Sequence, residues 1–415
     1  MSPRDPRAVV EAVWRLESGR IVAGVARLVR DVGLAEDLAQ DALVAALDEW
    51  PRRGVPPNPG AWLMQTARHR AIDRLRRDDR LADNLRLIGQ DLRTRASDDA
   101  FAGVDEVLTD GVDDDMLRLI FTACHPALTI ESQVALTLRV LGGLSTEEIA
   151  RAYLIGEATV AQRISRAKRT LTERRIGFEV PPAAEQEQRL AAVLRVVYLI
   201  YNEGYTATSG ADWTRPELCY EALRLGRMLA AWAAAEPEVH GLVALMEIQS
   251  SRLTARVGPD REPISLLDQD RSQWDQLLIR RGFQALLRAR GLDGRGPYVL
   301  QAAIAACHAR ARRPGDTDWA QIAALYHQLT LLAPGPVVEL NRAVAVSFVD
   351  GPAAGLDIVD GIAGLADYHL WHSVRADLLI RLGRVDEARH QLDQAATRTR
   401  NASERNALAA RRSRL

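Results

Sequence analysis

The strongest constraint on this chain is helical periodicity that proline and glycine interrupt again and again. Val9, Val10, Val13, Trp14 and Leu16, then Ile21, Val25, Leu28 and Val29, recur at the spacing of one helix face. The apolar share, 47%, leans on Ala, Leu and Val, while aromatics make up only 5%; that balance favours helices over sheets. An all-α fold is therefore expected. No stretch reaches the ~18 uninterrupted apolar residues of a membrane span, and no secretory apolar region stands at the N-terminus. Cys124, Cys219 and Cys307 lie far apart with no CxxC, so a cytoplasmic protein with reduced thiols is expected.

The breaks divide the chain. Helices are expected over 7–50, then a turn from Pro51 to Gly60 with four prolines in ten residues. An amphipathic segment runs from Ala61 to about Arg80, giving a first domain over 7–80. Residues 81–111 read as an acidic linker, since Asp83 to Asp110 sustains no period. Helical pattern resumes at Asp114 and continues to Arg175 with a break at Gly142-Gly143, giving a second domain over 112–178. After Pro181-Pro182, residues 185–415 form a long helical array. Its segment Leu378–Ala388 echoes Ala345–Gly355 33 residues earlier. A period near 34 points to tetratricopeptide-like helix pairs, although an ordinary helical bundle could also produce it.

Net charge is only -1, but the charges are unevenly placed. Residues 68–80 hold six arginines against three aspartates, and 159–175 hold six basic groups against one glutamate. Between them, 98–115 hold eight acids and no Lys or Arg. Two basic patches separated by an acidic tether suit a chain that grips a polyanion at two places. Lys168 is the one lysine among 54 basic residues.

Three motifs carry chemistry. In Leu144-Ser-Thr-Glu-Glu-Ile-Ala150, Ser145 and Glu148 have the spacing of a capping box. After a turn at Leu154, Ile155 and Gly156, a second helix buries Val160, Ile164 and Ala167. Its other face carries Gln162, Arg163, Ser165, Arg166 and Arg169. This is a helix-turn-helix pattern whose second helix can enter a major groove. The second motif, Ala61 to Arg77, is a basic helix with Trp62, Leu63, Thr66, Ile72 and Leu75 as its expected buried stripe. It leaves Arg68, Arg70, Asp73, Arg74 and Arg76 for phosphates and separated bases. The third is an acidic face: Asp37, Gln40 and Asp41 fall at i, i+3, i+4.

These motifs, in this order, resemble regions 2 and 4 of the sigma-70 RNA polymerase sigma factors of the extracytoplasmic-function (ECF) type. The resemblance implies that Asp37, Gln40 and Asp41 meet the clamp coiled coil of the largest subunit of core RNA polymerase. It implies that Arg68, His69, Asp73 and Arg76 melt and read the −10 element of promoter DNA. His69 stands where the family usually has Asn. Thr159, Gln162, Arg163, Ser165 and Arg166 are implied readers of the −35 element, and Leu154 stands where many members have a turn glycine. The segments Asp114–Ala127, Tyr198–Tyr205 and Leu266–Asp275 resemble the ECF group with a C-terminal tetratricopeptide-like extension. That resemblance implies cis regulation through contact between the extension and the sigma domains.

Enzymatic signals are weak. Cys124-His125 and Cys307-His308 read as packing residues, His369 and His372 lack a third zinc ligand nearby, and Glu203 fits a helix end at Gly204 as well as a cleft acid. There is no Walker loop, GxSxG or HExxH. No cofactor, metal or catalysis is expected. The rival reading is a stand-alone helix-turn-helix regulator with a repeat domain that binds protein or ligand.

Overall fold

The computed structural model describes residues 6–89, 112–259 and 262–415. Among them lie eighteen α-helices and one two-residue parallel strand pair, Ser209–Gly210 with Arg400–Asn401. The all-α expectation holds. None of the described helices is long and apolar enough to cross a membrane. The chain divides into two compact units, 1–196 and 197–415.

The first unit opens with α1 (Pro6–Val29) and α2 (Val32–Arg53). Asp31 caps α2, its carboxylate accepting from Leu34 N at 2.9 Å. Pro51 is tolerated inside the last turn, and the chain leaves the helix at Gly54, whose φ of 85° suits glycine. The expected break is thus shorter than Pro51–Gly60, because α3 (Pro59–Gly89) begins at once. This helix runs nine residues past Arg80, into the stretch read as linker; residues 90–111 lie outside the described residues. Its fully buried stripe is Leu63, Ala67 and Ala71. Trp62, Thr66, Ile72 and Leu75 are only half-buried, because the alanines bring the backbone of α3 close to its neighbours. Trp62 meets the buried Trp50 edge-on at 5.5 Å.

The rest of this unit is α4 (Val112–Ala123), α5 (Ile130–Val140), α6 (Thr146–Tyr153) and α7 (Glu157–Glu173). The two halves share a core. Gly19 of α1 lets Met116 of α4 and the Leu141 carbonyl approach to 3.0 and 3.2 Å of where a Cβ would stand. Arg27 pairs with Asp115 at 3.5 Å, and Arg15 pairs with Glu148.

The helix α8 (Ala183–Tyr205) carries the division between units. The second unit continues through α9 (Pro216–Trp232), α10 (Pro237–Ser250), α11 (Gln276–Gly291), α12 (Pro297–Arg310) and α13 (Trp319–Leu332). It ends with α14 (Pro336–Val349), α15 (Pro352–Gly361), α16 (His369–Arg381), α17 (Val385–Arg398) and α18 (Ala402–Ser413). Helices α11 and α12 both pack on α10, and from α12 onward each helix packs mainly on its sequence neighbours, as in stacked helix pairs. The pairs α14/α15 and α16/α17 account for the 33-residue echo. The turn of the second pair is one residue longer, which is why the glycines of the two copies fall out of register: Gly351 at φ 94°, Gly383 at φ 76°. Gly355 and its counterpart Ala388 are both buried where the paired helices meet closely.

Candidate nucleic-acid interface

The helix-turn-helix forms as its residues dictate. Ser145 Oγ accepts from Glu148 N at 3.0 Å, and Ser145 N donates to Glu148 Oε2 at 2.8 Å, closing the capping box of α6. The turn passes through Leu154, which is left-handed (φ 48°, ψ 45°) and half exposed. There an L side chain costs about 1–2 kcal/mol. Val160, Ile164, Ala167 and Leu171 form the buried stripe of α7. The opposite face leaves Thr159, Gln162, Ser165, Arg166 and Arg169 exposed, with Arg163 half-buried at its margin. All five sequence-selected residues of α7 therefore lie off the buried stripe.

On α3, His69, Asp73 and Arg76 are exposed and Arg68 is half-buried. Arg74 pairs with Asp78 at 3.0 Å one turn on, while Arg77 Nε donates to the Asp73 carbonyl at 3.2 Å. His69, Asp73 and Arg76 share the solvent side of a helix whose other side is the Leu63–Ala67–Ala71 stripe, and Arg68 stands at the margin with its Nε buried. A row of cations on a helix held by its alanine face can track phosphates without disturbing the core.

The acidic face of α2 is not bare. Asp37 and Asp41 are exposed, Gln40 half-buried. Asp41 pairs with Arg70 of α3 at 3.4 Å, and Asp37 Oδ1 accepts from Lys168 Nζ of α7 at 2.8 Å. Glu36, the neighbour that sequence reasoning passed over, is 3% exposed and lies between two cations from the other half of the unit. Arg139 Nε donates to it at 2.7 Å, and Lys168 Nζ donates to its second oxygen. Burial alone pushes the Lys168 ammonium down, but Glu36 and Asp37 together outweigh it and hold its pKa above the ordinary lysine value. Two further details close this seam. Thr172 Oγ1 donates to Asp31 Oδ2 at 2.8 Å, and a Cβ on Gly33 would stand 3.2 Å from Lys168 Cβ. A sequence signal for Glu36 existed: it is an acid set among Val32, Ala35, Ala39 and Ala42 on the buried stripe of α2.

The other chemically able groups are occupied locally. Glu203 accepts from Arg215 and from Thr208 Oγ1 at 2.9 Å, which ties down the loop after α8; the helix itself ends at Tyr205, one residue beyond Gly204. A Cβ on Gly204 would lie 2.7 Å from Cys219 N, so close backbone approach explains that glycine. His369 faces Glu404 at 3.1 Å, while His372 is held by Gln391 at 2.7 Å and the Ala366 carbonyl at 2.8 Å. Burial pushes the Cys124 and Cys219 thiols up to about 12, far from the thiolate form.

Comparison with known proteins follows the same division. Sigma-70 region 2 matches residues 15–81, and sigma-70 region 4 matches 118–171. A family of unknown function, DUF6596, matches 189–290. An uncharacterized protein of Rhizobium meliloti (strain 1021) is 43% identical over 379 residues, 91% of this chain and 89% of its own length. The probable ECF RNA polymerase sigma factor SigI of Mycobacterium tuberculosis is 28% identical over 183 residues, 44% of this chain and 60% of its own. No solved structure matches.

Proposed function

The chain belongs to the sigma-70 family, in its extracytoplasmic-function branch, and from that premise we propose that it binds core RNA polymerase, directs it to a −35/−10 promoter pair and helps open the duplex. Asp37, Gln40 and Asp41 offer α2 to the clamp coiled coil of the largest subunit. Arg68, His69, Asp73 and Arg76 take the −10 strand as it separates. Thr159, Gln162, Arg163, Ser165 and Arg166 read the −35 duplex. The work is done by binding energy: phosphate contacts position the protein and a few base contacts specify the site. The observation that carries this reading is the capped α6–α7 pair, with an exposed basic face, following an acidic α2 and a basic α3 in one chain.

The seam between α2 and α7 adds a resting state to this function. The −10 and −35 elements are separated by about 25 base pairs, roughly 85 Å at 3.4 Å per pair. A compact unit of 196 residues has a radius of gyration of roughly 16 Å. The two reading helices cannot span the promoter while α7 stays seated on α2. Engagement of both elements therefore breaks the Lys168 contacts and frees Asp37 for polymerase. The residues between α3 and α4, 90–111, have a contour length of about 75 Å, enough for the separation together with the helices themselves.

The C-terminal unit regulates this opening in cis, because a covalently attached partner acts at high effective concentration. Run-off transcription with purified core polymerase on a pool of host genomic fragments tests the whole reading. Start-specific transcripts that need the full chain are expected, and residues 1–181 alone should give fewer. If core polymerase neither co-purifies with the chain nor transcribes with it, the stand-alone regulator takes its place. Equal rates from the full chain and from residues 1–181 at every salt concentration would remove the C-terminal unit from the mechanism.

A further inference from the structure

The second unit gathers three arginines that form no ion pair with any described carboxylate, Asp316 acting on Arg271 only from a distance. Arg252 follows the last turn of α10, and Arg256 sits in the 3-10 turn Thr254–Arg256. Arg271 opens another 3-10 turn, Arg271–Gln273, inside the Leu266–Asp275 segment that the sequence singled out. The three are linked through aromatic rings. The Arg256 guanidinium lies 3.7 Å from the centre of Tyr205, and that of Arg252 lies 5.6 Å from Tyr205 and 5.9 Å from Trp274. Arg271 is 5.0 Å from the centre of Trp274. Burial lowers the pKa of both Arg256 and Arg271, and the charge of Arg252 adds to this at each, opposed by Tyr205 at Arg256 and by Asp316 at Arg271. Burial first, then Arg252 and Arg271, push the nearby His308 imidazole down to about 3, so it carries no charge at neutral pH.

Two of these arginines also have structural duties. Arg256 donates to the Tyr205 carbonyl and Thr206 Oγ1, both at 3.0 Å. Arg271 donates to the His308 carbonyl at 2.8 Å and the Ala311 carbonyl at 2.6 Å. The Arg252 guanidinium has none: among the described residues this side chain makes no hydrogen bond and no ion pair, and of its nitrogens only Nε is among the buried, unpartnered atoms. No described carboxylate pairs with any of the three. Around them, Tyr205 Oη, Trp274 Nε1, His308 Nδ1 and the Nε atoms of all three arginines are buried without a partner.

Half-buried cations placed side by side are costly unless an anion neutralises them. Ring stacking returns only about 0.5–2 kcal/mol per pair. For Arg252 the ring contacts use the face of the guanidinium and leave its terminal donors without a hydrogen-bond partner among the described residues, and such a fork fits an oxyanion. We propose that Arg252, supported by Arg256, Arg271 and the Tyr205 and Trp274 rings, forms a binding site for a small, multiply charged oxyanion, a phosphate group or a dicarboxylate. All five residues lie within the 189–290 segment matched by the family of unknown function, so the site gives that segment a chemical role.

The full-length protein serves for the test, with inorganic phosphate and succinate as separate probes and sodium chloride at matched ionic strength as reference. Phosphate also raises melting points by exclusion from protein surfaces, so the reading is the difference between wild type and Arg252→Gln. At a hundredfold excess over Kd, the melting midpoint of the wild-type second unit should rise by about 5 °C more than that of the variant. Calorimetric titration should show saturable binding that Arg252→Gln loses and Arg252→Lys partly keeps. Phosphate alone, or succinate alone, producing the shift identifies which oxyanion the fork prefers. Because the Arg252 side chain holds no hydrogen bond among the described residues, the variant should match wild type in helicity without ligand. Equal shifts in wild type and Arg252→Gln, or saturable binding of neither probe, overturn the proposal.

Discussion

Lys168 of α7 reaches two consecutive acids of α2, Asp37 at 2.8 Å and the buried Glu36, and so ties the helix proposed to read DNA to the face proposed for polymerase. It is the one lysine in the chain. The other 53 of the 54 Lys and Arg residues are arginines, with a larger planar fork; the compact ammonium of Lys168, with three donors on one atom, serves Glu36 and Asp37 from a single point.

Replacing Lys168 with Ala leaves Glu36 to Arg139 alone and releases Asp37. Loss of these charge-assisted bonds should weaken the closed seam by about 1–3 kcal/mol. Apparent affinity for core polymerase should then rise between about fivefold and a hundredfold. A fluorescence titration of labelled core reads this directly. Unchanged or weaker binding would show that Lys168 does not compete with polymerase. The same residue gives an independent readout in the wild type, because amine-reactive reagents can find only Lys168 and the N-terminus. Its raised pKa and its acid partners should slow labelling in the free protein, and added core polymerase should speed it.

Arg166 stands on the exposed face of α7 with the stripe Val160–Leu171 behind it. Arg166→Ala should weaken binding to the −35 duplex by about 1–3 kcal/mol and relax preference at one base position. Selection from a randomised duplex pool separates this from a phosphate contact, which would weaken all sequences alike.

Leu154 occupies a left-handed turn conformation at φ 48°. Leu154→Gly relieves about 1–2 kcal/mol of steric cost and loses about 0.5–1 kcal/mol to the greater freedom of the unfolded chain. The net gain should be about 0.5–1 kcal/mol, visible as a higher urea midpoint at unchanged slope. A lower midpoint would mean that the half-exposed leucyl side chain packs more productively than its surroundings suggest.

His308 titrates in the opposite sense to a salt-bridged histidine. Its folded pKa of about 3 lies below the unfolded value near 6.5, so the unfolded chain binds the extra proton between them. The neutral form's stabilisation is complete above pH 6.5 and is lost as pH falls towards 3. Between pH 8 and pH 5, wild type should lose about 2 kcal/mol more than His308→Phe. Chemical unfolding of both proteins at the two pH values decides it; parallel losses would place the acid sensitivity elsewhere.

What the sequence displayed well was local. The Ser145–Glu148 box needs two residues three apart, and the Val160, Ile164, Ala167 stripe needs one period, so both could be read and both are present. The α3 stripe was misjudged because bulky Trp62 and Ile72 drew attention, while small Ala67 and Ala71 make the close contact. Glu36 looked like one more acid in a polar run. Its burial depends on Arg139 and Lys168, 103 and 132 residues away, and no helical period encodes such a pairing. The arginine cluster of the second unit was hidden for the same reason, since Tyr205, Arg252, Trp274 and His308 come from four separate stretches of chain.

The double occupancy of α2 has a consequence for ionic strength. Asp37 and Asp41 already carry Lys168 and Arg70 as internal counter-ions. A polymerase surface that takes this face, as proposed, exchanges one set of ion pairs for another and creates few new ones. Salt screens both sides of that exchange alike, so its equilibrium should stay nearly level while attachment to promoter phosphates falls steeply with added salt. The same solution that strips the protein from DNA would leave it loaded on its enzyme.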